Sequence, residues 1–431
     1  MHHALHLPEI VGEIVEKNSS VPGYLHTCLL INTLFFQCAA PILWTSCAPG
    51  IESEGSNHVT PDIRHLAHIA RVDAQRGQRY ANLIRRLMFG GKGFEHYMSE
   101  TVSETRRMYE TRYHDGSVSH ASLPMVGFEW KQLVDLEIKE PSFGIETFMD
   151  MERLLPYLVP RLRRLEWSGC RGVDEGIFSA LQVKCPALKS LVLKPNCWNG
   201  TFDATREAVE GFLVKNSGME HLDVRTDGAG HVWRRVWTKD LLKVLSGHSN
   251  LRTVSLPDIE DSSIKELIQS QGGECRTPFF ALQHLCTGLS ASTLPSLHRI
   301  TPQLSALTLD LRAIDLPATM SVLFHASAFT QLSSLIIHFP GEAEIHGTDL
   351  IRLFQNCPSL SHLSIGKDQT HLHQPWARGL VDSDFEVLAR SAVQSCYQSI
   401  RSVFRGELDL IWYSEPSRTD LIDLVMIWEV N

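Results

Sequence analysis

A short pattern, Leu-x-x-Leu-x-Leu, returns along most of this 431-residue chain and constrains its fold more than any other feature. The fullest copies are Cys185-Pro-Ala-Leu188-Lys-Ser-Leu191-Val-Leu193 and Cys357-Pro-Ser-Leu360-Ser-His-Leu363-Ser-Ile365. Weaker copies begin at Leu133, Leu162, Met219, Leu251, Leu282, Leu304 and Leu332, so successive first anchors lie 22 to 32 residues apart. Ile84-Arg-Arg-Leu87-Met-Phe89 is an earlier copy, set off from the rest by an insertion over 90–128. Residues two apart on a strand share a face. Leu191 and Leu193 therefore enter one core while Val192 points out. A unit of this size has room for one strand, a turn and a helix. It cannot bury its apolar stripe alone, but stacked units bury a continuous core. The segments between anchors carry helical spacing. Trp237 to Leu245 offers Thr238 as a cap followed by apolar residues at i, i+3 and i+4, and Gly347 to Phe354 repeats that pattern.

Composition narrows the function. With 43% apolar and 21% charged residues the chain can build a sizeable core, and a net charge of −9 argues against nucleic acid as a partner. None of the ten cysteines forms a Cys-x-x-Cys pair or zinc-finger spacing with a histidine. Reduced, buried thiols in a cytoplasmic or nuclear protein are expected. The apolar run from Cys28 to Trp44 is shorter than the ~20 residues of a membrane span and is interrupted by Asn32, Gln37 and Pro41. No membrane insertion is expected.

The first residues form a separate pattern. Leu7-Pro8-Glu9-Ile10 opens a helix, with Pro in the first turn, Glu at its positive end and Ile14 continuing one face. Ser20 to Gly23 break the chain, and Tyr24 to Ile31 make a second helix stopped by Asn32. Phe35 to Ala39 form a third, ended by Pro41, and Ile42-Leu43-Trp44 follows. Three helices this apolar carry more surface than some 45 residues can bury on themselves, so the excess needs a partner.

The repeats resemble the leucine-rich repeat family in its long, irregular form. They depart from the regular pattern in mostly lacking the Asn or Cys after the strand, although Cys170 fits. The N-terminal order resembles the F-box on Leu7, Pro8, Ile10, Ile14, Leu25, Cys28, Leu29, Phe35, Phe36, Ala39, Leu43 and Trp44. It departs in the spacing between Pro8 and Glu9, and in Phe36 where many members have Trp. Together the resemblances imply an α/β fold: a small three-helix F-box-like module at 1–50, then a leucine-rich-repeat β/α solenoid at 84–390. Residues 51–83 read as linker and helix, and 391–431 as a degenerate repeat or cap, with Leu421, Leu424, Val425 and Trp428 suited to a capping helix. The resemblance further implies the substrate-recognition subunit of an SCF-type ubiquitin ligase. Leu7, Pro8, Ile10, Ile14, Leu25, Leu29, Phe35 and Trp44 would meet a Skp-type adaptor of a cullin–RING ligase. The alternative is a leucine-rich scaffold unconnected to ubiquitin, its first helices packed as a cap on the repeats.

No enzyme signature competes. Gly90-Gly-Lys-Gly lacks the spacing of a phosphate loop, and Gly116-Ser-Val-Ser-His lacks the second glycine of a nucleophile elbow. Neither a metal nor a cofactor is expected, and the histidines at 2, 3, 6, 371 and 373 read as tail and loop. A protein target would meet the alternating strand positions on the concave side, chief among them Arg164, Glu166, Lys194, Asp223, Arg225 and His338. A phosphate reader needs several cations converging on one spot. Arg164, Lys194 and Arg225 are interleaved with Glu166 and Asp223, so the expected target is read by shape and unmodified polar contacts.

Overall fold

In the computed structural model the described residues are 6–47, 61–89, 128–139, 154–224, 239–269, 278–311, 322, 325–339, 343–367, 377–378 and 424–427, apart from 22, 62, 171, 196–200, 203, 258 and 345–346. The chain divides into two compact units, Met1–Asn216 and Ser217–Asn431.

The first unit opens with α1 (Pro8–Lys17), α2 (Tyr24–Ile31) and α3 (Thr33–Leu43). Gly23, at φ +70°, starts α2 in a backbone conformation that costs other residues energy. The Asn32 side chain ends one helix and caps the next, accepting from the Phe35 amide at 3.0 Å. Contrary to expectation, Pro41 does not end α3, which runs on to Leu43. A proline inside a helix removes one backbone donor. Here the final turn is held from elsewhere: the Trp44 amide donates to Ala40 at 3.0 Å, and the Trp44 ring is stacked on Tyr80.

Next come β1 (Ser46–Cys47), α4 (Ile63–Val72) and α5 (Ala74–Ala81). The helical stretch after the linker is two helices: the chain breaks at Asp73, whose carboxylate accepts from the Arg76 amide at 2.9 Å and so caps α5. The remaining elements are β2 (Arg86–Phe89), β3 (Asp135–Lys139), β4 (Arg164–Cys170), β5 (Gly172–Val173), α6 (Glu175–Lys184), β6 (Ser190–Pro195), β7 (Thr201–Phe202) and α7 (Arg206–Lys215). Strands β1, β2, β3, β4 and β6 pair in that order, all parallel, while β5 and β7 form a small separate pair. The pairing places Leu87, Leu136, Leu165 and Leu191 on one rung, each fully buried. Phe89, Ile138, Trp167 and Leu193 make a second buried rung.

The second unit holds β8 (His221–Asp223), α8 (Lys239–Ser246), β9 (Thr253–Ser255), α9 (Asp261–Gln269), β10 (His284–Leu289), α10 (Leu294–Ile300), β11 (Ala306–Leu311), β12 (Ser334–Phe339), β13 (Ala343–Glu344), α11 (Gly347–Asn356), β14 (His362–Lys367), β15 (Ala377–Arg378) and β16 (Leu424–Ile427). Strands β8 to β12 and β14 are parallel along one sheet, with β13 and β15 paired apart. Leu222, Val254, Leu285, Leu307, Leu335 and Leu363 form its buried rung. In β10 a threonine replaces the second anchor, and the buried Thr287 hydroxyl donates to the Pro257 carbonyl at 3.0 Å. The C-terminal prediction is corrected: Leu424 and Val425 lie in a strand antiparallel to β14, not in a helix. β-Branched Val425 and Ile427 suit a strand, and β14 would otherwise present an open edge. The predicted cap Thr238 and most of the expected degenerate repeat or cap at 391–431 lie outside the described residues, as do 48–60 and 90–127.

Among the described residues most repeats close in the same way. The first anchor's amide donates to the carbonyl three residues earlier: Leu162 to Val159, Leu188 to Cys185, Leu304 to Thr301, Leu360 to Cys357. The next two amides then share one carbonyl of the preceding repeat. Lys189 and Ser190 share that of Arg163, and Ser361 and His362 that of Ser333. These are leucine-rich-repeat-type α/β units. In the Cys-Pro copies the buried thiol lies under this turn, and Cys357 donates to the Phe329 carbonyl at 3.3 Å. Burial pushes the Cys185 thiol up to about 12 and that of Cys357 to about 11.

Candidate functional site

Two surfaces follow from the sequence, and the structure adds a third. On the N-terminal module, Val11, Val15, Cys28, Phe35 and Ala39 form the internal core, with Leu25 and Leu29 packed against it. Of the expected adaptor contacts, Leu25, Leu29 and Ile14 are thus partly covered and Phe35 is buried. Trp44 is 5% exposed, its ring 4.7 Å from that of Tyr80 and nearly parallel to it. It joins the module to α5 rather than facing outward. Leu7, Pro8 and Ile10 are exposed at the start of α1. Leu30, 87% exposed, and Ile31 join them as apolar surface at the end of α2, together with Val21. Sequence reasoning passed over Leu30 and Ile31 because an unbroken apolar run does not tell which members face inward.

On the strand face opposite the core, the expected target residues are held unequally. Arg86, Asp135 and Arg164 share one rung across β2, β3 and β4, with Glu137 and Glu166 adjacent on the next. Arg86 reaches Glu137 at 3.1 Å and Asp135 at 3.5 Å; Arg164 reaches Asp135 at 3.1 Å and Glu137 at 3.6 Å, and also binds Glu166. Lys139 pairs with Glu137 as well. Burial alone would raise the Glu137 carboxyl, but the hydrogen bonds from Lys139 and Arg86 and the charge of Arg164 outweigh it and hold it below its usual value. Three cations and three carboxylates satisfy one another, and Arg164 is engaged within the fold. Lys194 lies on the rung of Lys139 and Ser168. In the second unit Asp223 is buried at the end of β8, and His338 Nδ1 lies 2.7 Å from Asp310 on the neighbouring strand. Arg225 lies outside the described residues.

The third surface is the rim where the strands begin. Arg85, Val134, Arg163 and Lys189 occupy successive rungs immediately before β2, β3, β4 and β6, tied by backbone bonds of 2.8 Å from Val134 to Arg85, Arg163 to Val134 and Lys189 to Arg163. Beside them lies a cleft of about 330 Å³, lined by Arg85, Gln132, Val134, Pro160, Arg161 and Arg163 among others. The rim was legible in principle, since these residues directly follow the first anchors, but reading the strand face alone skips that column.

Among the described residues no group of three or more His, Cys, Asp or Glu is placed to hold a metal ion, and no helix is long and apolar enough to cross a membrane.

No family model matches the chain, and no curated protein matches it. Among solved structures it is similar to the leucine-rich repeat-containing protein LegL7 from Legionella pneumophila, at 13% identity and a TM-score of 0.38, over 64% of this chain and 87% of that one. It is also similar to a chain of the yeast complex of Rad7 and Elc1, at 15% identity and a TM-score of 0.37, over 76% of this chain and 89% of that one. Both scores are too low to carry function across, so the functional reading rests on this chain's own residues.

Proposed function

We propose that the protein is a non-catalytic substrate receptor of an SCF-type ubiquitin ligase, working in the cytoplasm or nucleus. The observation that supports it best is the N-terminal module. Its three helices complete a small core and still leave Leu7, Ile10, Leu30 and Ile31 outside it. Exposed apolar groups on a helical module favour helix-on-helix docking, and a Skp-type adaptor is the partner implied by the F-box-like order. The repeats would hold the target, so that the receptor acts by raising the target's local concentration at the ligase.

One observation favours the alternative of a scaffold unconnected to ubiquitin. The Trp44–Tyr80 stack and the β1–β2 pairing make the module continuous with the first repeat, as a cap would be. Co-purification of the full chain with a Skp-type adaptor decides between them. Leu30→Asp, and separately Leu7→Ala with Pro8→Ala, should abolish adaptor binding without lowering the melting temperature. Trp44→Ala should lower the melting temperature first, because it removes an internal contact. Failure of the unaltered protein to retain the adaptor would leave the scaffold reading standing.

A further inference from the structure

The strand-start rim differs between the two units in a way that folding does not require. In the second unit the column starts with Glu220, Arg252 and Gln283 and then runs through Ser305, Ser333 and Ser361, whose hydroxyls each donate to the preceding rung's carbonyl, at 3.1, 2.9 and 3.1 Å. Side chain and backbone close the rim together. In the first unit the same column carries Arg85 and Arg163, with Arg161 two residues before the latter. Among the described residues none of these three guanidinium groups has a hydrogen-bonding or charged partner. The three line one cleft of about 330 Å³, and no carboxylate is among its lining residues. This grouping occurs in a chain whose net charge is −9.

We propose that this cleft binds a phosphate monoester. Three uncompensated cations repel one another, and a bound anion relieves that repulsion. A carboxylate offers two oxygens and one charge. A phosphate monoester offers three oxygens and nearly two charges, which suits three planar guanidinium forks. The backbones that carry the three exposed side chains are held in place. Leu162 is fully buried and its amide donates to Val159 at 3.0 Å, so Arg161 and Arg163 flank a fixed point. The Arg85 and Arg163 backbones are built into consecutive ladder bonds, which lowers the ordering cost of binding. Gln132 adds a neutral donor, and Val134 and Pro160 provide apolar wall for the group that carries the phosphate. A cleft of this size accepts the phosphate and a small attached moiety. That moiety is either a phosphorylated side chain of a bound protein or a free phosphorylated small molecule. The site is separate from the adaptor surface and stands or falls independently of it.

Calorimetric titration of the full chain with inorganic phosphate tests the proposal. Saturable binding is expected, with acetate at equal ionic strength binding far more weakly. Arg85→Gln, Arg161→Gln and Arg163→Gln should each weaken phosphate binding about tenfold or more while leaving the melting temperature and adaptor co-purification unchanged. Arg252→Gln, at the same rung position in the second unit between Glu220 and Gln283, should have no effect. N-acetyl-phosphoserine N-methylamide binding more tightly than glucose 6-phosphate supports a protein side chain as the source, and the reverse order a free small molecule. Absence of saturable phosphate binding, equal binding of acetate, or unchanged affinity in the Arg85→Gln/Arg163→Gln double variant overturns the proposal.

Discussion

At the scale of single residues, Glu137 shows how the strand face is balanced. Its carboxylate is almost fully buried yet takes hydrogen bonds from Lys139 and Arg86, with Arg164 close by. Its pKa is therefore held below the usual value in the folded chain, while in the unfolded chain it returns to the ordinary carboxyl value. The unfolded state then binds the proton more readily. The stabilisation is complete above the unfolded pKa and is lost as pH falls through the folded one. Glu137→Gln should lower stability at neutral pH by about 1–3 kcal/mol, because three cations lose their shared partner. The same variant should lose less additional stability than the parent between about pH 5 and pH 3. Thermal melts of both proteins across that range check this, and parallel acid profiles would count against it. In the same network the charge of Arg164 is already met by Asp135, Glu137 and Glu166, unlike the rim arginines.

At the scale of elements, α4 and α5 approach closely at Gly77 of α5. A Cβ there would sit 2.7 Å from the Ala70 Cβ and 2.9 Å from its Cα on α4. On an isolated helix Gly→Ala stabilises by about 1 kcal/mol. Here the sign should reverse, with Gly77→Ala destabilising by about 1–3 kcal/mol through overpacking. A raised melting temperature would mean that α4 and α5 are not packed at this point. Strands were the most legible elements. Anchors such as Leu188-x-x-Leu191-x-Leu193 predict both the strand and its inward face, because a period of two leaves no choice once one face is buried. Helix ends were less legible. Pro41 reads as a stop, yet the contact of Trp44 with Tyr80 across many residues carries the helix past it. Leu424 to Ile427 fit helix or strand alike by apolar content, and pairing with β14 selects the strand.

At the scale of the whole molecule, the architecture of N-terminal helices followed by parallel-strand repeats could be read from sequence, but which of the expected site residues are exposed could not. Phe35 and Trp44 belong to motif positions that a motif cannot assign to inside or outside, and both turn inward. The rim arginines sit in a turn, where hydrophobic periodicity is silent and only alignment of one repeat with the next brings them into a column. The way the repeats are joined has a consequence for how such a chain can change over generations. Within each unit, the junctions among the described residues are made by two amides meeting one carbonyl, a seam that does not depend on which side chains flank it. Length can therefore drift by recombination without a new joint being invented. Removing residues 305–332 should place Ser333 directly after Leu304, where it inherits the bond of Ser305 to the Gln283 carbonyl. The shortened chain should keep a folded circular-dichroism spectrum and a cooperative melt at a lower temperature, as expected for a stack held by nearest-neighbour contacts. An unfolded product would mean that each seam is tailored to its own pair, and that the array was assembled once and has been locked in length since.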